Sequence, residues 1–183
     1  MIIANRLKNE SRAEFLLYMW QIEDIIRAYD CDIDRLSENY LTRFEVDEQT
    51  KKELTQWYAY LCNMMIEENL KHSGHMQINK NILADLNELH NKFLNSPKFP
   101  FYKELYYKVL PYIIDLRKKN INSINEFTEL EVCFNALYGY MILKLKHENI
   151  SSETMDAIKN ISTLLGQLSD YHKRDKVEPI DFD

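Results

Sequence analysis

Glycine is scarce in this chain of 183 residues: there are 3, with 4 prolines and 3 cysteines. Each shortage excludes something. Gly74, Gly139 and Gly166 are isolated, so no glycine-rich phosphate loop can be drawn. Sandwiches and dinucleotide-binding folds use more turn formers than this, so the scarcity favours long helices. No run reads as a convincing strand, since Asn120–Ile124 is short and stands before a helix start. Cys31, Cys62 and Cys133 are odd in number and widely spaced. That suits reduced thiols better than a disulfide framework or a zinc knuckle, and Cys62 and Cys133 fall inside apolar helical patterns.

Reaction-centre motifs are missing too. A di-iron bundle asks for Glu-x-x-His on two helices, and none of His72, His75, His90, His147 or His172 has Glu three residues before it. HExxH is absent. Asp30, Asp32 and Asp34 begin like a calcium loop, but Arg35 stands at the glycine position and Leu41 at the final glutamate position. Glu68, His72 and His75 could meet a surface metal, yet polar residues at a helix end explain them as well. No metal and no organic cofactor is implied, and no catalytic residue can be named.

Charge and hydropathy narrow the partners. A net charge of -6 argues against general binding to nucleic acid, which needs clustered positive charge. Arg117, Lys118 and Lys119 suit a last helical turn, where cations are favoured anyway. The apolar stretch Tyr138–Leu145 is stopped by Lys144, Lys146 and His147 and is too short to span a membrane. The opening MIIANRLKNESRAEF lacks the apolar core of an export signal, so a cytoplasmic setting is expected.

What is present is helical periodicity. The composition, 45% hydrophobic and 28% charged, suits one soluble globular domain over residues 1–172. Ser11 with Glu14 predicts a capping box for a helix carrying Phe15, Met19, Ile22, Ile26 and Tyr29. Asp32 opens a short helix with Ile33 and Leu36. Asp47 opens a long one with Leu54, Trp57, Tyr58, Leu61 and Met65 inward, ending near Gly74. Ile78, Ile82, Leu86, Leu89 and Phe93 predict a fourth, closed by Asn95-Ser96-Pro97. Pro100 starts a fifth, with Phe101, Leu105, Val109, Tyr112 and Leu116 inward and Pro111 expected to kink or split it. Ser151 or Ser152 opens the last, with Met155, Ile158, Ile161, Leu165 and Leu168 inward. The tail, residues 173–183, is expected to be extended or partly disordered.

The most informative stretch is Asn125–Leu145, NEFTELEVCFNALYGYMILKL. Leu130, Phe134, Leu137 and Met141 form one stripe, and apolar residues fill its flanks. A helix apolar all round wants partners all round, which predicts a central helix opened by Ser123 and Glu126. The fold expected is an all-α, six- or seven-helix, mostly antiparallel bundle.

Two polar groups stand beside the apolar stripes. Trp20, Glu23 and Arg27 share a face of the first predicted helix, with Glu23 and Arg27 spaced for an ion pair. Glu131 and Asn135 share a face of the central one. Buried, they need partners. They either lock helix register, mark the exposed start of a helix buried only further on, or form the polar floor of a small ligand pocket. Trp20, Glu23, Arg27, Glu131 and Asn135 are therefore the candidate ligand-binding residues.

The opening MIIANRL, the run YMWQIEDIIRAY (Tyr18–Tyr29), LADLNELHNKFLNS (Leu83–Ser96) and ELEVCFNALYGYMILKLK (Glu129–Lys146) together resemble an uncharacterised all-helical domain-of-unknown-function family from Bacteroidetes. The resemblance covers essentially the whole chain. It implies one helical domain in a bacterial cytoplasm and transfers no activity or site residue.

Three function classes remain open at this level. A structural or protein-interaction module suits the all-helical plan and the 12 tyrosines, with Tyr102, Tyr106 and Tyr107 gathered in the fifth helix. A homodimer through a helical face fits the same class. A small-molecule binder or unfamiliar enzyme needs a pocket beside the polar groups. A nucleic-acid regulator needs an exposed basic recognition helix, and the short second helix is acidic.

Overall fold

A computed structural model of the protein describes residues 2–119 and 127–183. It is 79% helical, with eight α-helices, one short 3-10 turn at Leu41–Arg43 and no strand among the described residues. The helices are α1 (Ile2–Glu10), α2 (Arg12–Ala28), α3 (Ile33–Asn39), α4 (Glu48–Glu67), α5 (Gln77–Asn95), α6 (Pro100–Lys119), α7 (Glu129–Leu145) and α8 (Ser152–Val177). The expected six or seven becomes eight because the opening segment forms a helix of its own. α1 buries Ala4 and Leu7. No described helix is long and apolar enough to cross a membrane.

Side-chain oxygens start the helices where the sequence placed them. Asp32 accepts the amides of Asp34 and Arg35 at 2.9 and 3.1 Å, Asp47 accepts that of Thr50 at 2.9 Å, and Ser151 accepts that of Thr154 at 3.2 Å. Each relieves a donor that the first turn leaves unpaired. Ser123 and Glu126 lie outside the described residues. The capping box that opens α7 is Thr128 with Glu131: the Glu131 amide donates to Thr128 Oγ1 at 3.2 Å and the Thr128 amide to Glu131 Oε2 at 3.3 Å.

Three helices stop without glycine. Asp30, Asn69 and His147 take φ of 58°, 58° and 55°. After each, the next amide reaches back five residues, as Leu70 does to the Met65 carbonyl at 2.8 Å. This reciprocal pattern satisfies the last carbonyls. It ends α4 at Glu67, ahead of the expected stop at Gly74.

The described chain divides into two compact units, one of residues up to Glu10 with Glu14–Ile82, the other of Ser11–Ala13 with Leu83–Asp183. In the first, α2 buries Phe15, Leu16, Met19, Ile22 and Ile26, and α4 buries Tyr58, Leu61, Cys62 and Met65. In the second, α6, α7 and α8 pack on one another. Leu130, Phe134 and Leu137 are buried, as their spacing predicts, while Met141 is half-buried. α7 is not surrounded. Asn135 and Gly139 are exposed, and Leu143 and Leu145 are 41% and 70% exposed. Its apolar residues continue past the face that α6 and α8 cover.

α6 departs from its expected face. Tyr102, Val109 and Ile113 are buried, whereas Phe101 is 59% exposed. The helix is not split at Pro111. That residue is exposed, and so is Tyr107, whose carbonyl loses the amide partner, so the missing hydrogen bond falls on the wet side. α8 continues to Val177, past the loss of periodicity at Lys173. Residues 178–183 are extended and held: Ser96 Oγ donates to the Phe182 carbonyl at 2.7 Å, and the Phe182 ring lies 5.0 Å from that of Phe93.

Candidate functional site

α2 carries two different faces in the first unit. Successive residues turn by about 100°. Trp20, Glu23 and Arg27 therefore fall on one side, and Tyr18, Gln21, Ile22 and Ile25 on the other.

Glu23 is fully buried. Its Oε1 accepts the Met76 amide at 2.8 Å and the Asn79 side-chain amide at 2.7 Å, and its Oε2 accepts His75 Nδ1–H at 2.6 Å. These groups belong to the start of α5. A carboxylate there meets unpaired amides and the positive end of the helix dipole. Glu68, at the end of α4, accepts the next amide, that of Gln77, at 2.7 Å. The Trp20 indole stacks on the His75 imidazole, with centroids 4.1 Å apart and planes 14° from parallel.

The expected Glu23–Arg27 ion pair does not form. Arg27 binds the Asp24 carboxylate at 2.7 Å, the Leu70 carbonyl at 3.1 Å, and the Gly74 carbonyl. Its guanidinium holds the loop whose far end Glu23 grips. At the i+4 spacing the sequence allowed the pair, but two loop carbonyls in reach suit a planar five-donor group better. Glu68 and His75, weighed as metal ligands with His72, instead hold the start of α5. Among the described residues no three His, Cys, Asp or Glu side chains gather as a metal site.

Glu131 and Asn135 belong to the second unit. Glu131 closes the capping box of Thr128, and Asn135 is solvent-exposed. Other polar groups of that unit are buried or half-buried. His90 Nδ1 lies 2.6 Å from the Tyr102 hydroxyl, and Tyr106 donates to Glu129 Oε2 at 2.8 Å. Burial pushes His90 down to about 4, against a smaller opposing pull from Glu129. Its Nε2 is buried without a hydrogen-bond partner among the described residues. Burial likewise pushes Cys62 up to about 11 and Cys133 up to about 12, so both are protonated thiols at neutral pH.

The other face of α2 borders a cavity of about 400 Å³. Its walls come from α1, α2, the end of α3 with the following turn, and α4; they include Tyr18, Ile22, Tyr40, Phe44, Leu54 and Tyr58. Among the described residues no charged side chain lines it. The Tyr40 and Tyr58 rings meet edge to face at 6.2 Å. The sequence reading missed this site, because its residues read as ordinary core. The four-residue spacing of Tyr40 and Phe44, outside a regular helix, was the available signal.

A helical protein with a clamped helix start and an uncharged cavity defines a class by architecture alone. The chain belongs to the family described as Domain of unknown function (DUF4924), whose model matches residues 1–179. Comparisons with curated proteins and with solved structures gave no match.

Two measurements check this geometry. Glu23→Ala should cost about 3–5 kcal/mol in urea unfolding, since it strands buried donors. A loss under about 1 kcal/mol would show that the contacts are dispensable. His90 supplies a pH dependence. Its folded value lies below the ordinary 6.5, so on acidification the unfolded chain takes up a proton that the folded chain refuses. Nothing is lost above about pH 6.5; the loss grows as pH falls and reaches on the order of 2–3 kcal/mol near pH 4. His90→Gln should flatten the fall of the urea midpoint between pH 6.5 and 5; equal slopes would remove His90 as the cause.

Proposed function

We propose that the chain is a binding module whose working feature is the cavity of the first unit. One observation carries this reading: an uncharged, mostly apolar lining behind an exposed apolar rim. Ile3, Phe44 and Val46 at that rim are 49%, 40% and 41% exposed. Apolar rims left in water mark sites of contact. The volume falls in the usual range of small-molecule pockets, about 300–1,000 Å³. In this reading Trp20, Glu23 and Arg27 are scaffold: they fix the rotation of α2, and so which residues face the cavity.

Nile red, a neutral dye that brightens in apolar surroundings, should titrate to one saturable site. Leu54→Glu or Ile25→Glu should weaken it about tenfold or more, by placing a charge in the apolar wall, with an unchanged circular dichroism spectrum. Absent or unsaturable binding to the native protein would overturn the reading, as would binding indifferent to both substitutions.

A second reading, protein interaction through a homodimer, is favoured by α6. Tyr107, Pro111 and Ile114 are exposed at alternating four- and three-residue spacing. Tyr102 is buried and Tyr106 is tied to Glu129, so of the gathered tyrosines Tyr107 is the one presented. Sedimentation equilibrium should then show a dimer that Ile114→Asp dissociates. A monomer at tens of micromolar would remove this reading and leave the cavity untouched.

A further inference from the structure

The cavity is apolar but not featureless. Tyr18, Tyr40 and Tyr58 converge on one side of it from α2, the end of α3 and α4. Tyr58 is 2% exposed, and Tyr18 and Tyr40 are half-buried. Burial foremost, then the neighbouring phenols, pushes Tyr58 well above the usual phenol range, and burial, then Tyr40, raises Tyr18. A phenol O–H donates one hydrogen bond. Each phenol on the wall carries one proton that can be offered to an acceptor in the cavity.

The opposite requirement, for charge, is not met. Among the described residues no Lys, Arg or His lines the cavity to receive an anion, and no Asp or Glu to receive a cation. Thr50, on the wall, donates its hydroxyl to the Asp47 carboxylate at 2.6 Å. The charge that Thr50 touches is negative, which opposes an anionic head group there. Burying an unpaired carboxylate beside apolar walls would be costly.

We infer that the cavity takes a small uncharged molecule with an apolar body and one hydrogen-bond acceptor, such as a ketone, ester or ether oxygen, received by the phenols of Tyr18 and Tyr40. This rests on the cavity reading proposed above and adds the chemistry of its ligand. The phenols choose among apolar molecules. The missing cations exclude fatty and aromatic acids of the same bulk.

Three probes of similar size separate the ideas: butylbenzene, valerophenone and phenylvalerate, with binding to the full chain followed by calorimetry at neutral pH. Valerophenone should bind most tightly and phenylvalerate at least about tenfold more weakly. Tyr18→Phe and Tyr40→Phe, singly and together, keep the ring volume and remove the donor. They should reduce the preference for valerophenone over butylbenzene by about three- to tenfold, as expected for one neutral hydrogen bond, and leave butylbenzene unchanged. Phenylvalerate binding as tightly as the ketone would overturn the inference while sparing the cavity reading. An unchanged ketone preference in the double variant would do the same. If none of the three probes binds the folded protein, both readings fall.

Discussion

One buried carboxylate organises the first unit. Glu23 has no exposure to water, so solvation it would have outside must be replaced within the protein. The replacement comes from the Met76 amide, the Asn79 amide and His75 Nδ1–H. All three lie more than fifty residues on and must be delivered together, which is possible only if the loop after α4 returns to α2 in one register. Arg27 fixes the middle of that loop through its carbonyls, and Glu68 takes the first amide of α5. With that side of α2 committed, its opposite side is committed as well. Tyr18, Ile22 and Ile25 are left to border the cavity.

The same unit shows how a chain with little glycine turns corners. Asp30 and Asn69 adopt the left-handed conformation that glycine usually supplies, and His147 does so in the second unit. For a residue with a Cβ this costs about 1 kcal/mol or more, less for Asp and Asn, whose short polar side chains bond locally. The reciprocal hydrogen bonds to the last carbonyls offset the strain. Long helices joined by such stops need few turn formers, which is how three glycines serve eight helices.

The sequence was most legible where a signal is local. Asp32, Asp47 and Ser151 stand beside the amides they cap, and the apolar stripes of α2, α4 and α5 follow from spacing, except that Ile78, expected inward on α5, is 44% exposed. α1 was missed because its buried set, Ala4 and Leu7, is too small to declare a period. α7 was read as central because apolar content records what a residue prefers and not what covers it; Leu145 at 70% exposure is the counterexample. The candidate site was half legible. The stripe of Trp20, Glu23 and Arg27 does hold a demanding polar cluster. Its partners were hidden, since His75, Met76 and Asn79 meet Glu23 through a loop closure that no periodicity encodes. Glu131 was singled out for its place beside apolar residues, while its role came from a threonine three positions earlier. The cavity was hidden for a different reason: Tyr18, Tyr40 and Tyr58 are apolar enough to pass as filling.

The stacking of Trp20 on His75 has an optical consequence. An imidazole ring in face contact with an excited indole dims part of its emission. Trp20 is thus a lamp mounted on the clamp, its brightness following whether the His75 ring stays stacked on it. The chain's other indole, Trp57, lies 5.0 Å from the ring of Tyr58, beside the cavity wall. The two fluorophores thus have different neighbours, so light from one reports the start of α5 and light from the other the ring of Tyr58.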